Sequence, residues 1–287
     1  MCLPFPKNSR YLATIQGKKY VTRLDISQGF WSVKLGPKAS NLCSFEFLGG
    51  LYKLTRLGQG LIPSSFVFQR AVHRLILKNK LGENVSNYLD DIVVTSQTIE
   101  EHFDILKKLF LILQENNVKL KFVKCDWLIT KKLNLLGFEV DVQNGTISPE
   151  KSLIKKFLAI PNPKNQKTLQ KFLGSIAFFS PLLKNLSLRL SPLYDLLKKN
   201  AKFHLGDQEL KALHFIRKEM AHFPTIFLLN LKKPIHAFAD GAMLQSIAYV
   251  LMQWSDKYQN LIPCKFQSHR LNIHQKNYST AQHRLKP

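Results

Sequence analysis

The stretch Asn87-Tyr88-Leu89-Asp90-Asp91-Ile92-Val93-Val94-Thr95-Ser96, NYLDDIVVTS, sets two adjacent carboxylates between an aromatic-aliphatic pair and a β-branched run. Aromatic and β-branched side chains favour strands, so residues 85–94 read as two short strands turning at Leu89-Asp90, with the acidic pair at the hairpin tip. A third acid, Asp25, lies in a similar stretch, YVTRLDISQGFWSVKL at 20–35, where a glycine-containing turn is followed by a helix or strand. Each acid follows a strand-like run and lies near a turn, which would bring carboxylates from two hairpins to one sheet edge. Three carboxylates so placed repel one another unless cations compensate, and hard oxygen ligands suit Mg²⁺ or Mn²⁺. Two such ions ~4 Å apart can activate a hydroxyl, stabilise charge on phosphorus and assist a pyrophosphate leaving group. The plainer reading is a solvated Asp-Asp turn.

The acids stand out because the chain is strongly positive. Its 287 residues carry 42 Lys plus Arg against 19 Asp plus Glu, a formal +23, while 45% apolar residues suffice for real cores. Such a field favours a polyanionic partner, most simply nucleic acid, with a solvated basic surface as the bland alternative. The basic residues are spread along the chain and not gathered into one amphipathic helix, which speaks against a membrane surface. MCLPFPKNSRYL at the N-terminus has no apolar signal core, and no run approaches the ~18 apolar residues of a membrane span. Cys2, Cys43, Cys125 and Cys264 are far apart and suggest neither a zinc site nor a disulfide framework. These features predict an intracellular, soluble protein, cytoplasmic or nuclear.

Outward from the acidic hairpin, SFEF and LYKLTRL joined at Gly49-Gly50 predict a hairpin, and Phe68, Val72, Leu75 and Ile76 predict an amphipathic helix over 64–77. Thr98-Ile99-Glu100-Glu101 is a capping box, opening a helix to about Asn116. LNLLGFEV predicts a strand that returns around Asn144-Gly145. Ile160-Pro161-Asn162-Pro163 reads as a linker, with helices beyond it at 167–179, 189–199 and 207–221. IHAFAD and SIAYVLMQW are strand-like.

YLDDIVV, with LDISQGFW about 65 residues upstream, resembles the palm of reverse transcriptases of LTR retrotransposons and retroviruses, closest in texture to the gypsy type. SFEFLGGLYKLTRLGQGL, SSFVFQR, EEHFDILKKLFLILQENNVKLKFVKCDWL, LLGFEV and IPNPKNQKTLQKFLGSIAFFSPLLKN are similar to further family segments in the same order. The resemblance runs from about residue 3 to 280. It implies an α+β fold: a palm of antiparallel sheet packed on helices over 1–148 with partial fingers and the primer grip, thumb and connection helices over 149–232, and a truncated RNase H-like α/β segment over 233–287.

Carried over residue by residue, the resemblance makes Asp25, Asp90 and Asp91 the catalytic and metal-binding acids for two Mg²⁺ (or Mn²⁺) ions, with the Ile26 carbonyl as a further ligand. Phe30 would be the steric gate against a 2′-hydroxyl, Gln59 and Gly60 would line the incoming nucleotide, and Leu136, Gly137 and Phe138 would be the primer grip. Arg70, Lys119, Lys121 and Lys124 would contact phosphates. The implied partners are an RNA template, a DNA primer, the RNA–DNA hybrid and dNTPs, with other Pol or Gag products beside them. The implied activity is RNA-directed DNA synthesis.

Three departures qualify the match. Only 24 residues precede Asp25, fewer than the fingers need, and Gly58 replaces the usual Pro. In FADGAMLQSIAYVLMQ, Asp240 stands for the first RNase H ligand. Gln282 and Arg284 then occupy places where relatives have acids, so RNase H activity is expected to be absent. A single carboxylate cannot assemble a two-metal centre. The competing expectation is a catalytically dead, truncated retroelement remnant that binds nucleic acid through its charge. A non-catalytic interaction subunit is the third class.

Overall fold

The computed structural model describes residues 8–242 and 246–271. The chain separates into two compact units, one of residues 1–132 with 142–144 and the other of 133–141 with 145–287.

The first unit starts with helix α1 (Asn8–Ala13) and strand β1 (Tyr20–Ser27), followed by the short helices α2 (Gly29–Ser32) and α3 (Pro37–Leu42) and an isolated hairpin of β2 (Ser44–Phe47) and β3 (Gly50–Lys53). Helix α4 (Ser64–Lys78) leads into the acidic hairpin, β4 (Val85–Tyr88) and β5 (Asp91–Ser96), and then α5 (Ile99–Glu115). β6 (Lys119–Leu120), a single 3-10 turn at Phe122–Lys124 and β7 (Asp126–Ile129) close the unit. The sheet runs β4-β5-β1-β6, with β7 also pairing β1, and every pairing is antiparallel. One face of this sheet is covered because α4 and α5 carry apolar residues at helical spacing. Phe68, Val72 and Ile76 of α4 and Leu106, Leu109 and Leu113 of α5 are buried with Leu24, Ile26, Ile92 and Val94.

β1 corrects the expectation of two hairpins meeting at an edge. It is a central strand whose partners lie far away in sequence, which local alternation cannot reveal. The turn at Leu89-Asp90 and the start of α5 are as expected: the Thr98 side chain accepts the Glu101 N–H at 3.2 Å, and the Glu101 carboxylate accepts the Gln97 N–H at 2.9 Å.

In the second unit β8 (Lys132–Leu135), β9 (Phe138–Asp141), β10 (Thr146–Pro149) and β11 (Ile226–Phe227) form a sheet in the order β11-β10-β9-β8. LNLLGFEV is therefore not one strand. Leu136 (φ 51°) and Gly137 (φ 79°) are both left-handed, the signature of a tight hairpin turn. Helices α6 (Lys151–Leu158), α7 (Gln166–Ala177), α8 (Leu186–Arg189), α9 (Ser191–Asp195) and α10 (Asp207–Ala221) follow. The expected helix 189–199 is two short ones broken at Leu190, with Pro192 starting the second. The Pro-rich linker is fastened: Arg217 of α10 donates to the carbonyls of Leu158 (2.9 Å) and Ile160 (2.6 Å) and to Asn162 Oδ1 (3.1 Å). Leu169, Phe172, Ile176, Leu190, Leu193 and Ile216 form the core of this helical region.

β12 (His236–Ala242), β13 (Ser246–Ser255) and β14 (Asn260–Arg270) make a three-stranded antiparallel sheet. β14 was missed, because Pro263 and Lys265 interrupt its alternation; the β13 register shifts at Leu251/Met252, opposite this point. Gln282 and Arg284 lie outside the described residues. Among the described residues no helix is long and apolar enough to cross a membrane.

Candidate active site

Strand pairing builds the site. β1 and β5 run antiparallel from Tyr20↔Ser96 to Asp25↔Asp91, so Asp25 and Asp91 are direct cross-strand partners. Such partners project from the same face of a sheet. Asp90 occupies the turn immediately before Asp91, where its carbonyl accepts the Ile26 N–H at 2.8 Å. The hairpin and the central strand thus place three acids of distant sequence together.

Their electrostatics show the cost. Burial, then the charges of Asp25 and Asp91, push the Asp90 carboxyl above its usual range. Burial likewise raises Asp91, with Asp25 and Asp126 adding to the rise and Arg23 and Lys124 opposing it. Asp90 Oδ1 is buried without a hydrogen-bond partner. The neighbouring Arg23 is itself paired with Asp126 at 2.6 Å.

This donor set fits a hard divalent cation, which would relieve both the repulsion and the orphaned oxygen. It is not a closed cage: among the described residues no three His, Cys, Asp or Glu side chains are grouped so as to hold a metal ion.

Several residues that sequence reasoning passed over support the turn. Gln69, buried on α4, accepts the Leu89 N–H at 2.6 Å and donates to the Asn87 carbonyl at 3.0 Å. Its signal was a polar residue inside the apolar stripe of Phe68, Val72 and Ile76. Gly29 lets α2 approach the acids: a Cβ there would stand 2.7 Å from Asp90 Oδ1 and press on the Phe68 ring. The Tyr11 hydroxyl donates to the Asp91 carbonyl at 3.1 Å. Behind Asp25, the Cys125 thiol accepts the Asp25 N–H at 3.4 Å, and the Lys121 N–H donates to the Asp25 carbonyl at 2.8 Å.

The remaining sequence candidates are distributed as follows. Ile26 is buried beside the acids. Phe30, on α2 next to Gly29, is half-buried with its ring 5.2 Å from that of Phe68, so it packs on the core as well as flanking the site. Gln59 and Gly60 (φ 87°) are exposed in the turn before α4. Leu136, Gly137 and Phe138 belong to the second unit, where Phe138 stacks on Phe178 at 4.8 Å. Asp240 pairs with Ala248 in β12; its side chain lies outside what is described.

Comparison with known proteins places the sequence and the fold. Residues 3–140 match the family described as reverse transcriptase (RNA-dependent DNA polymerase). The chain is 27% identical over 283 residues to the retrovirus-related Pol polyprotein from transposon 297 of Drosophila melanogaster, covering 98% of this chain and 26% of that protein. It is 32% identical over 193 residues to the Pro-Pol polyprotein of simian foamy virus type 1, covering 67% of this chain and 16% of that protein. The fold resembles the foamy viral protease-reverse transcriptase solved with double-stranded DNA, at a TM-score of 0.78 and 22% identity, over 96% of this chain and 48% of that one.

The antiparallel sheet packed on helices has a reverse transcriptase palm fold, and residues 3–140 match the reverse transcriptase domain. The chain carrying it is a homologue of retrotransposon Pol polyproteins, and it spans about a quarter of the length of the transposon relatives it matches end to end.

Proposed function

We propose that this chain is the polymerase part of a retroelement Pol protein and extends a DNA primer on an RNA template. The observation that carries this reading is the Asp25↔Asp91 register, with Asp90 beside it and its buried oxygen unpartnered. Asp25, Asp90 and Asp91 would hold two Mg²⁺ (or Mn²⁺) ions, with the Ile26 carbonyl as a further ligand. When bound, the ions would supply activation of the primer 3′-hydroxyl and stabilisation of charge on the α-phosphate and the departing pyrophosphate.

The protein's own contribution is positioning. Gln69, Tyr11 and the Cys125–Asp25 contact hold the acid-bearing backbone. Phe30, beside Gly29, limits the space for a ribose 2′-hydroxyl, while Gln59 and Gly60 line the dNTP and Leu136, Gly137 and Phe138 grip the primer. Residues 1–148 serve as palm, 149–232 as thumb and connection, and 233–287 as an RNase H-like segment containing Asp240. The RNA–DNA hybrid is the product held by the +23 field.

The test is primer extension on an RNA template with dNTPs and Mg²⁺, comparing the chain with Asp90→Asn. Extension by the parent alone supports the proposal. The charge favours a second reading, a binding remnant, and hybrid binding in both proteins with extension in neither would establish that instead.

A further inference from the structure

Beside the acids the chain builds a second feature, a three-ring stack with a basic rim. Phe122, in the 3-10 turn, lies parallel to Trp127 of β7, with centroids 5.9 Å apart and planes 15° apart. Phe110 of α5 meets Trp127 edge-on at 6.3 Å, bracing it. Packing of this kind normally accompanies burial, yet Phe122 is 63% exposed, Val123 94% and Trp127 42%. Desolvation therefore remains to be gained at this surface.

Its surroundings are one-signed. Lys119, Lys121 and Lys124 are exposed on the same segment, KLKFVK, and among the described residues none is held in an ion pair. The adjoining carboxylate, Asp126, is paired with Arg23. The platform is also rigid. Lys121 and Cys125 are tied to the Asp25 backbone, the Cys125 thiol donates to the Lys121 carbonyl at 3.4 Å, and the Cys125 N–H donates to the Phe122 carbonyl at 3.0 Å.

We propose that Phe122, backed by Trp127 and rimmed by Lys119, Lys121 and Lys124, is a stacking site for a base of single-stranded nucleic acid, separate from the acids. A free ring face gives sequence-tolerant stacking, and flanking ammonium groups take the adjacent phosphates. A protein partner would be expected to meet a rim of mixed charge, as at ordinary interfaces; this rim complements only a polyanion. The bonds from Lys121 and Cys125 to the Asp25 backbone anchor this segment to the acid-bearing strand.

The experiment reads binding only, so it stands whether or not the chain polymerises. The full chain is titrated at ~0.15 M salt with an octathymidylate and with an abasic phosphodiester of equal length. The parent should prefer the thymidylate by about 5- to 100-fold, the range of one to a few stacked bases. Phe122→Ala should reduce that preference towards unity while abasic binding persists, and Phe122→Tyr should retain it. Lys121→Ala/Lys124→Ala should weaken both ligands and flatten the salt dependence. Equal affinity of the parent for both ligands, or a preference unchanged in Phe122→Ala, would overturn the proposal. So would self-association of the parent that Phe122→Ala abolishes, which would assign the surface to a second copy of the chain.

Discussion

Gln69 holds the backbone on both sides of the acidic turn, accepting the Leu89 N–H at 2.6 Å and donating to the Asn87 carbonyl at 3.0 Å. Leu89 is left-handed (φ 51°), a conformation a leucine adopts only when its surroundings enforce it. Gln69→Leu keeps the bulk and removes both bonds, leaving two backbone groups without partners. We expect a loss of about 1–3 kcal/mol in urea unfolding. Primer extension should fall further than the folded fraction does, because Asp90 is the next residue in the turn. Wild-type extension at equal folded protein would show that the turn keeps its shape without the amide.

Gly29 offers a sharper perturbation of the same acid. An added methyl would meet Asp90 Oδ1 at 2.7 Å and the Phe68 ring, so Gly29→Ala must shift either the carboxylate or the core. Overpacking of this kind costs about 1–3 kcal/mol, and a displacement of about 1 Å at reacting groups can lower the rate ~10²-fold. Thermal unfolding and single-turnover extension, measured on one preparation, separate the two effects. Ala at Gly36, where a Cβ meets nothing within 4 Å, is the control and should leave both near the parent.

The acidic hairpin was legible because its two strands are adjacent in sequence and its turn interrupts a β-branched run. Helix α5 was legible from Thr98 and its apolar period. The pairing of β1 with β5, which places Asp25 opposite Asp91, is non-local; local pattern suggested a shared sheet edge but not the pairing. Leu136-Gly137 went unread as a turn because a leucine at positive φ contradicts local preference; tertiary contacts of Gly137 with Leu153 and Phe178 overrule that preference. The supporting contacts from Gly29 and Cys125 were illegible for a related reason, and Gln69 showed only as a polar residue in the apolar stripe of α4. Each is defined by what lies opposite it in space.

His102 provides a test of the palm core that is independent of catalysis. It is fully buried, with Nε2 2.8 Å from Thr22 Oγ1 and Nδ1 2.9 Å from Ser96 Oγ, so it ties α5 to β1 and β5. The Ser96 hydroxyl donates to the Thr98 carbonyl at 2.9 Å, and its oxygen therefore accepts from Nδ1–H; Nε2 accepts from Thr22. Burial pushes this imidazole below its ordinary 6.5, with Glu101 opposing. The unfolded chain then binds the proton more readily than the folded one. Stability is full above about pH 6.5 and declines as pH falls towards the lowered folded value. His102→Leu should be less stable at neutral pH, by about 1–3 kcal/mol for the stranded hydroxyls. It should also lose this part of the acid-side slope, as read by denaturant unfolding across the range. An unchanged slope would place the slope in other groups.

Asp90 and Asp91 carry the opposite sign. Their folded carboxyls are raised above the unfolded values, chiefly by burial, so the folded protein favours the protonated forms more than the unfolded chain does. Their contribution to stability is greatest below the ordinary carboxylate range and is lost as pH rises through the raised values. At neutral pH in chelator, both acids oppose folding, so Asp90→Asn should unfold at a higher temperature than the parent even though it should not extend a primer. Mg²⁺ should then raise the parent's melting temperature, by an amount that grows with concentration as RT ln(1 + [L]/Kd). The increment should shrink in Asp90→Asn and vanish in Asp90→Asn/Asp91→Asn. A residue that stabilises the fold when neutralised and abolishes synthesis when replaced is held charged for function. Destabilisation by Asp90→Asn in chelator would refute that account, since it would make the carboxylate a structural acceptor that the fold needs.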